Sequence, residues 1–292
     1  MDGVTAPPLG LLLDVDGPLA SPITRTVVAP GLVGDLVALL AAGVPVVLNT
    51  GRSDAFVRDQ VVAPLLAAGL PAGARLHAVC EKGAVWAGIG ASGLGEVHVD
   101  PALAVPPAAA AVVAELVAAE YAATMFVDAT KRSMVSVEGH PHVPLAEYAQ
   151  AQAAFDVELL AALAAAGLGV RLGDREVPDA DGQVPWRLDP SIISVDVESV
   201  RTGKDLGARR ALELLAADGP LPHVWHTVGD SRTDYAMADQ LHALGHDVTH
   251  VDVRPAGPLP ARPYAVRTVE GLVDDAAGAA HLHGLAVELA GR

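Results

Sequence analysis

Cysteine is almost missing from this 292-residue chain. Cys80 stands alone, so no disulfide can form within the chain and no cysteine cage can hold a metal, in keeping with a reducing, cytoplasmic compartment. Aromatic residues are scarce at 3%, against 51% hydrophobic residues overall, so Ala, Val and Leu must pack the core. Positive charge is also in deficit: 19 basic residues face 35 acidic ones, for a net charge of −16. Such a chain repels phosphodiester backbones and anionic bilayers, which argues against nucleic acid or a membrane as partner. Long apolar runs are lacking as well. The Ala/Val/Leu-rich tracts near 102–123 and 153–170 are broken by Pro106, Pro107, Glu115 and Glu120, or by Asp156 and Glu158, and fall short of the ~20 apolar residues of a membrane span. The opening residues, MDGVTAPPLG, put an acid where a secretory signal carries positive charge, so no targeting segment is expected.

The length suits one large or two moderate domains. Gly10–Ala20, GLLLDVDGPLA, reads as a buried strand that delivers Asp14 and Asp16 at its end, just before Gly17-Pro18. The carboxyl edge of a parallel sheet is where such folds place their chemistry. Leu32, Val33, Leu36, Val37 and Leu40 then recur at helical spacing, with Gly43 placed to end the helix. Val44–Leu48 reads as a second buried strand running into Asn49-Thr50-Gly51-Arg52-Ser53, and Asp54–Val62 as a helix with Ser53 at its N-cap. Strand, helix, strand and polar turn make the rhythm of a doubly wound α/β sheet.

That rhythm lapses between about Glu81 and Asp196, which reads as an inserted module. Its helix candidates are Ala108–Ala122 and Leu145–Ala166, and its strand candidates Thr124–Val127, Ser133–Val137, Val170–Leu172 and Ile192–Val195, with Gly173–Trp186 as a loop or hairpin. Alternation resumes with a helix over Asp205–Ala217, which Thr202 is placed to cap. A strand over Val224–Val228 follows and ends in Gly229-Asp230-Ser231-Arg232-Thr233-Asp234. A helix starting where Ser231 can cap it, a strand over Val248–Val253 and a helix near Val269–Ala277 complete the sheet, and the last dozen residues form an Ala/Leu-rich helix. The expected architecture is a doubly wound, Rossmann-like parallel-sheet core, residues 1–83 and 196–292, with an inserted α/β cap, residues 84–195.

Four segments thus meet at one sheet edge, carrying Asp14 and Asp16, Thr50, Lys204, and Asp230 and Asp234. Their order and spacing resemble the haloacid dehalogenase-like hydrolase superfamily, whose four motifs are matched by DVDGPL, LNTGRS, the lysine of RTGK, and GDSRTD. The insertion resembles the type II cap of that superfamily, and Glu81-Lys82-Gly83 stands where its Cof-type and sugar-phosphatase branches often carry Glu-Asn-Gly. Pro18 is a second departure, standing where those proteins usually have Thr.

The resemblance implies a Mg²⁺-dependent phosphatase acting on a small phosphorylated metabolite, with a cap that closes over the site and selects the substrate. Asp14 would attack phosphorus and form an aspartyl-phosphate; Asp16 would protonate the leaving oxygen and then deprotonate water. Asp14, Asp230 and the main-chain carbonyl of Asp16 would hold the metal, with Asp234 binding it through water or orienting Asp230. Thr50, the amides around Gly51, and Lys204 would hold the phosphoryl oxygens. Arg52, Lys82 and Arg132 are candidate substrate contacts.

Taken singly, each residue also has a plainer reading. Thr50 suits an N-cap, Lys204 a solvated first-turn lysine, Asp230 and Asp234 a helix N-terminus, and Arg52 a surface ion pair. The 11 histidines include the pairs His223/His226, His242/His246 and His140/His142, but no H-E-x-x-H, so zinc is disfavoured. A phosphomutase that passes the phosphoryl group to a second hydroxyl, and a non-catalytic metabolite-binding protein, are the rival functions. Nothing in the sequence points to an oligomeric state.

Overall fold

A computed structural model of the chain describes residues 6–254 and 257–291. The first five residues, on which the expectation about a targeting segment partly rests, lie outside the described ones. Contacts divide the chain into two compact units, Met1–His98 with Gly203–Arg292, and Val99–Thr202.

The first unit is built on a nine-stranded sheet. Six strands run parallel, in the order Ala265–Arg267, Asp247–Asp252, Val224–Gly229, Gly10–Leu13, Val46–Asn49 and Leu76–Cys80. The chain leaves the central strand to one side first and later returns on the other, which opens a topological switch point beside Gly10–Leu13. Leu11, Leu12 and Leu13 are wholly buried, as a parallel strand covered on both faces requires. On one face Leu12, Val47, Val79 and Trp225 pack against Ala208, Ala211 and Leu215 of the helix Lys204–Asp218 and against Met237 and Leu241 of Tyr235–Ala243. The helices Leu32–Ala41 and Asp274–Ala290 pack against each other. Among the described residues no helix is long and apolar enough to cross a membrane.

The second unit holds a six-stranded, largely antiparallel sheet, ordered Arg175–Val177, Val170–Leu172, Trp186–Pro190, Ser194–Ser199, Val135–Gly139 and Met125–Val127. Val135, Val137, Val195 and Val197 alternate onto one face and pack with Tyr148, Phe155, Leu159 and Leu163 of the helix Leu145–Ala165 and Val113 of Pro107–Leu116.

The structure moves several expected boundaries. The units part later than residues 83 and 195, because Val85–Gly90 pairs antiparallel with Leu76–Cys80 and extends the core sheet, while Ser194–Ser199 is an inner strand of the second sheet. The last helix begins at Asp274 rather than near Val269, and a short strand, Ala265–Arg267, precedes it. Thr202 is not the cap of the helix at Lys204. Gly203 holds that position, and the Thr202 hydroxyl donates to the Ser199 carbonyl at 2.8 Å. Ser53 does cap the helix at Asp54, accepting from the Phe56 N–H at 3.3 Å.

Candidate active site

Parallel register sets the site. Leu13 lies opposite both Leu48 and Val228, so Asp14, Thr50 and Asp230 emerge at one edge. Asp14 is 6% exposed. Its N–H donates to the Val228 carbonyl at 2.9 Å, and its Oδ1 accepts the Val15 N–H at 2.7 Å. The chain then turns tightly, with Ala20 N–H reaching the Val15 carbonyl at 2.7 Å. Gly17 makes the turn possible in two ways. Its φ of +83° belongs to the left-handed region, and a Cβ there would stand 2.5 Å from the Asp230 carboxyl group.

Lys204 is the hub. Its Nζ lies 2.7 Å from Asp14 Oδ1 and 2.8 Å from Asp234 Oδ1, and donates to the Asn49 carbonyl at 2.8 Å. Three partners use the three donors of an ammonium group. The Asn49 side chain returns the contact, its Nδ2 donating to the Lys204 carbonyl at 2.9 Å. Asp234, fully buried, is fixed by a capping box in which its Oδ2 accepts the Ser231 N–H at 2.9 Å and the Ser231 hydroxyl at 2.8 Å. Asp14, half-buried Asp230 and Asp234 each offer one carboxylate oxygen, all within 4.8 Å of one another.

Crowded acids with too little positive charge titrate abnormally. Burial, helped by Asp234, Asp16 and Asp230 against the pull of Lys204, holds the Asp14 carboxyl well above the ordinary range. Burial and then Asp234 push Asp230 up to about 7. Burial acts on Asp234 in the same sense, but Lys204 and the Ser231 bonds outweigh it and bring that carboxyl down. Burial alone would lower the Lys204 ammonium, yet Asp14 and Asp234 drive it up. Three oxygen donors that repel one another suit a hard divalent cation.

The second edge turn carries the remaining candidates. Buried Thr50 accepts the Arg52 N–H on its hydroxyl oxygen at 3.1 Å, which leaves the hydroxyl proton to donate. Arg52 forks onto Asp16, with Nε 2.8 Å from Oδ2 and Nη2 2.9 Å from Oδ1, and its guanidinium lies 4.6 Å from the Phe56 ring centre. Both Asp16 oxygens are thus engaged. Lys82 is held beside this turn, its N–H donating to the Thr50 carbonyl at 3.0 Å. Gly51 lies under the Lys82 side chain. Arg132 is exposed and belongs to the second unit.

Ser231 takes the cap position the sequence offered, whereas the role of Asn49 was missed: it sits inside a segment that had been singled out, but a side chain bridging to a helix-start carbonyl leaves no spacing signal. Among the described residues, no group of three or more potential metal donors includes a histidine. His140 and His142 stack on each other at 5.2 Å, and His226 pairs instead with His281 at 3.1 Å.

No family model matches the chain, and no curated protein matches it. Solved structures do. The trehalose-6-phosphate phosphatase C-terminal domain of C. albicans superposes with a TM-score of 0.65 at 16% identity, over 96% of this chain and 93% of that one. The fold is that of the haloacid dehalogenase-like phosphatases. A Thermoplasma acidophilum protein, 0175, shares this fold at a TM-score of 0.57 and 13% identity, over 98% of this chain and 100% of that one. Trehalose-6-phosphate phosphatase of Aspergillus fumigatus does so at 0.52 and 16%, over 97% and 93%.

Proposed function

We propose that the protein is a Mg²⁺-dependent phosphatase that hydrolyses a small phosphorylated metabolite through an aspartyl-phosphate. The observation that carries this reading is the meeting of Asp14, Asp230 and Asp234 around Lys204 at the sheet edge that also bears Asp16 and Thr50. A dehalogenase needs no second acid after the nucleophile; ester hydrolysis needs a proton donor there, and Asp16 fills that place.

Asp14, Asp230 and Asp234, with the Asp16 carbonyl, are the residues that would hold the metal. Bound there, it would neutralise carboxylate and phosphoryl charge. Anchoring of Asp14 Oδ1 by Lys204 and the Val15 N–H fixes the plane of the carboxylate for in-line attack on phosphorus. As the Asp14–phosphorus bond forms, the ester oxygen departs and takes a proton from Asp16. For this, one Asp16 oxygen exchanges its Arg52 contact for the leaving group. In the second displacement Asp16 accepts a proton from water, the water oxygen attacks phosphorus, and inorganic phosphate leaves with Asp14 regenerated. Thr50 donates its hydroxyl proton to a phosphoryl oxygen. Lys204, with its donors already engaged, acts through its charge and by orienting Asp14.

A phosphate-release screen with and without Mg²⁺ tests the reading, with sugar phosphates first in the panel because the fold is shared with trehalose-6-phosphate phosphatases. Metal-dependent release of inorganic phosphate is the expected result. An isomerised sugar phosphate without release would replace it by the mutase reading, and no turnover on any ester would overturn it.

A further inference from the structure

Asn49 is wholly buried at the end of the strand Val46–Asn49, and half of its side-chain amide goes unused. Its Nδ2 donates to the Lys204 carbonyl at 2.9 Å, but among the described residues its Oδ1 has no hydrogen-bond partner. The lysine carbonyl can only accept, so the amide cannot turn over to exchange the two atoms. A buried acceptor left without a donor offsets much of what the single bond contributes, and native interiors keep few such groups. Folding stability therefore does not account for this side chain.

The helix Lys204–Asp218 makes room for it at a second cost. Gly207 is buried in the first turn of that helix. A Cβ built there would stand 2.5 Å from Asn49 Cγ and closer still to Oδ1, so any larger residue would drive the amide aside. Glycine within a helix is less favourable than alanine. A weak helix position and an orphaned oxygen thus occur at one spot.

What both preserve is a grip on Lys204 at its two ends. The Asn49 side chain holds the lysine's carbonyl, and the Asn49 main-chain carbonyl accepts from its Nζ at 2.8 Å. A lysine in the first turn faces the positive end of its own helix, so the helix does nothing to retain it there. We propose that Asn49 is a positioning residue, which fixes the start of the helix against the strand so that the Lys204 ammonium stands between Asp14 and Asp234. The inference rests on the phosphatase reading, in which Lys204 orients Asp14 for attack on phosphorus. Asn49 itself touches no reacting atom.

The scarcity of lysine supplies a readout independent of turnover. Lys82, Lys131 and Lys204 are the only lysines in the chain, so mass spectrometry of the full-length protein can follow the reductive methylation of each, with Lys131 of the second unit as internal reference. Asn49→Ala should raise the Lys204 rate about fivefold relative to Lys131 and leave Tm within roughly 2 °C of the parent. With Mg²⁺ and p-nitrophenyl phosphate, kcat should fall about twentyfold while KM stays within about twofold. Gly207→Ala should act in the same direction, and the double variant should be no worse than Asn49→Ala, because the new methyl group fills the space the amide vacated. Unchanged Lys204 labelling, a Tm lowered by more than about 6 °C in Asn49→Ala, or losses in kcat that multiply in the double variant would each overturn the assignment of Asn49 alone. A parent protein that hydrolyses no ester would overturn the phosphatase reading and this one with it.

Discussion

The two units use polar residues in opposite ways. In the core, charged groups gather at strand ends and remain under-neutralised: Asp14 and Asp230 hold their protons unusually tightly, first because they are buried and then because acids crowd around them. In the second unit, polar and charged side chains of adjacent strands pair across the sheet. Ser136 donates to Asp196 at 2.6 Å across adjacent strands, and Arg187 reaches the fully buried Glu198 side chain at 2.7 Å. Frustrated charge marks a place built to receive an ion or an anion; satisfied charge marks a scaffold. Substitutions in the core should therefore act on chemistry, and those in the second unit on stability.

The largest effect is expected from Asp14→Asn, which should cut turnover by about three orders of magnitude or more with far-ultraviolet circular dichroism unchanged. Unaltered turnover would remove the nucleophile from the proposed mechanism. Gly17→Ala comes next, because it strains the turn and drives a methyl group into Asp230. A loss of about a hundredfold in kcat, with Mg²⁺ no longer raising Tm, is the expected outcome.

In the second unit, Arg187→Met removes the guanidinium that reaches buried Glu198 and should destabilise residues 99–202 by about 3 kcal/mol. Hydrogen exchange should rise there, while phosphate binding by the core stays unchanged. If phosphate binding fell as far as stability, the contrast between the units would fail.

The contrast also has a pH signature. Folded Asp230 keeps its proton to about pH 7, whereas the unfolded carboxyl loses it near 3.8. The metal-free protein is therefore most favoured by this group below pH 4, and that contribution is lost as pH rises to 7. Mg²⁺ competes with the proton, so the Tm gain on adding it should be larger at pH 8 than at pH 5.5. Equal gains would place the metal elsewhere. The smallest effect is expected for Ser53→Ala, which removes a helix cap at the cost of about 1 kcal/mol in denaturant unfolding.

How much of this was legible in the sequence follows the same division. The core strands could be read because parallel strands buried on both faces are continuous apolar runs, as Leu11-Leu12-Leu13 and Val46-Val47-Leu48 show. The acids could be located because each closes such a run. Partners could not be read: Arg52 on Asp16, and Asn49 with Lys204 across 155 residues, depend on register and rotamer. The strand Val85–Gly90 was drawn into the insertion because Gly88 and Gly90 weaken its apolar pattern, and only pairing with Leu76–Cys80 reveals its sheet. Ala265–Arg267, with three residues, is too short for periodicity to register.

The closing helix offers one more consequence. A Cβ at Gly278 would stand 1.9 Å from the Pro18 carbonyl oxygen, so the helix Asp274–Ala290 lies directly behind the turn that follows Asp16. This helix is a backstop for the turn after the first strand. Loosening it, by Gly278→Val or by unwinding its first turn, should change the catalytic rate from the far end of the polypeptide.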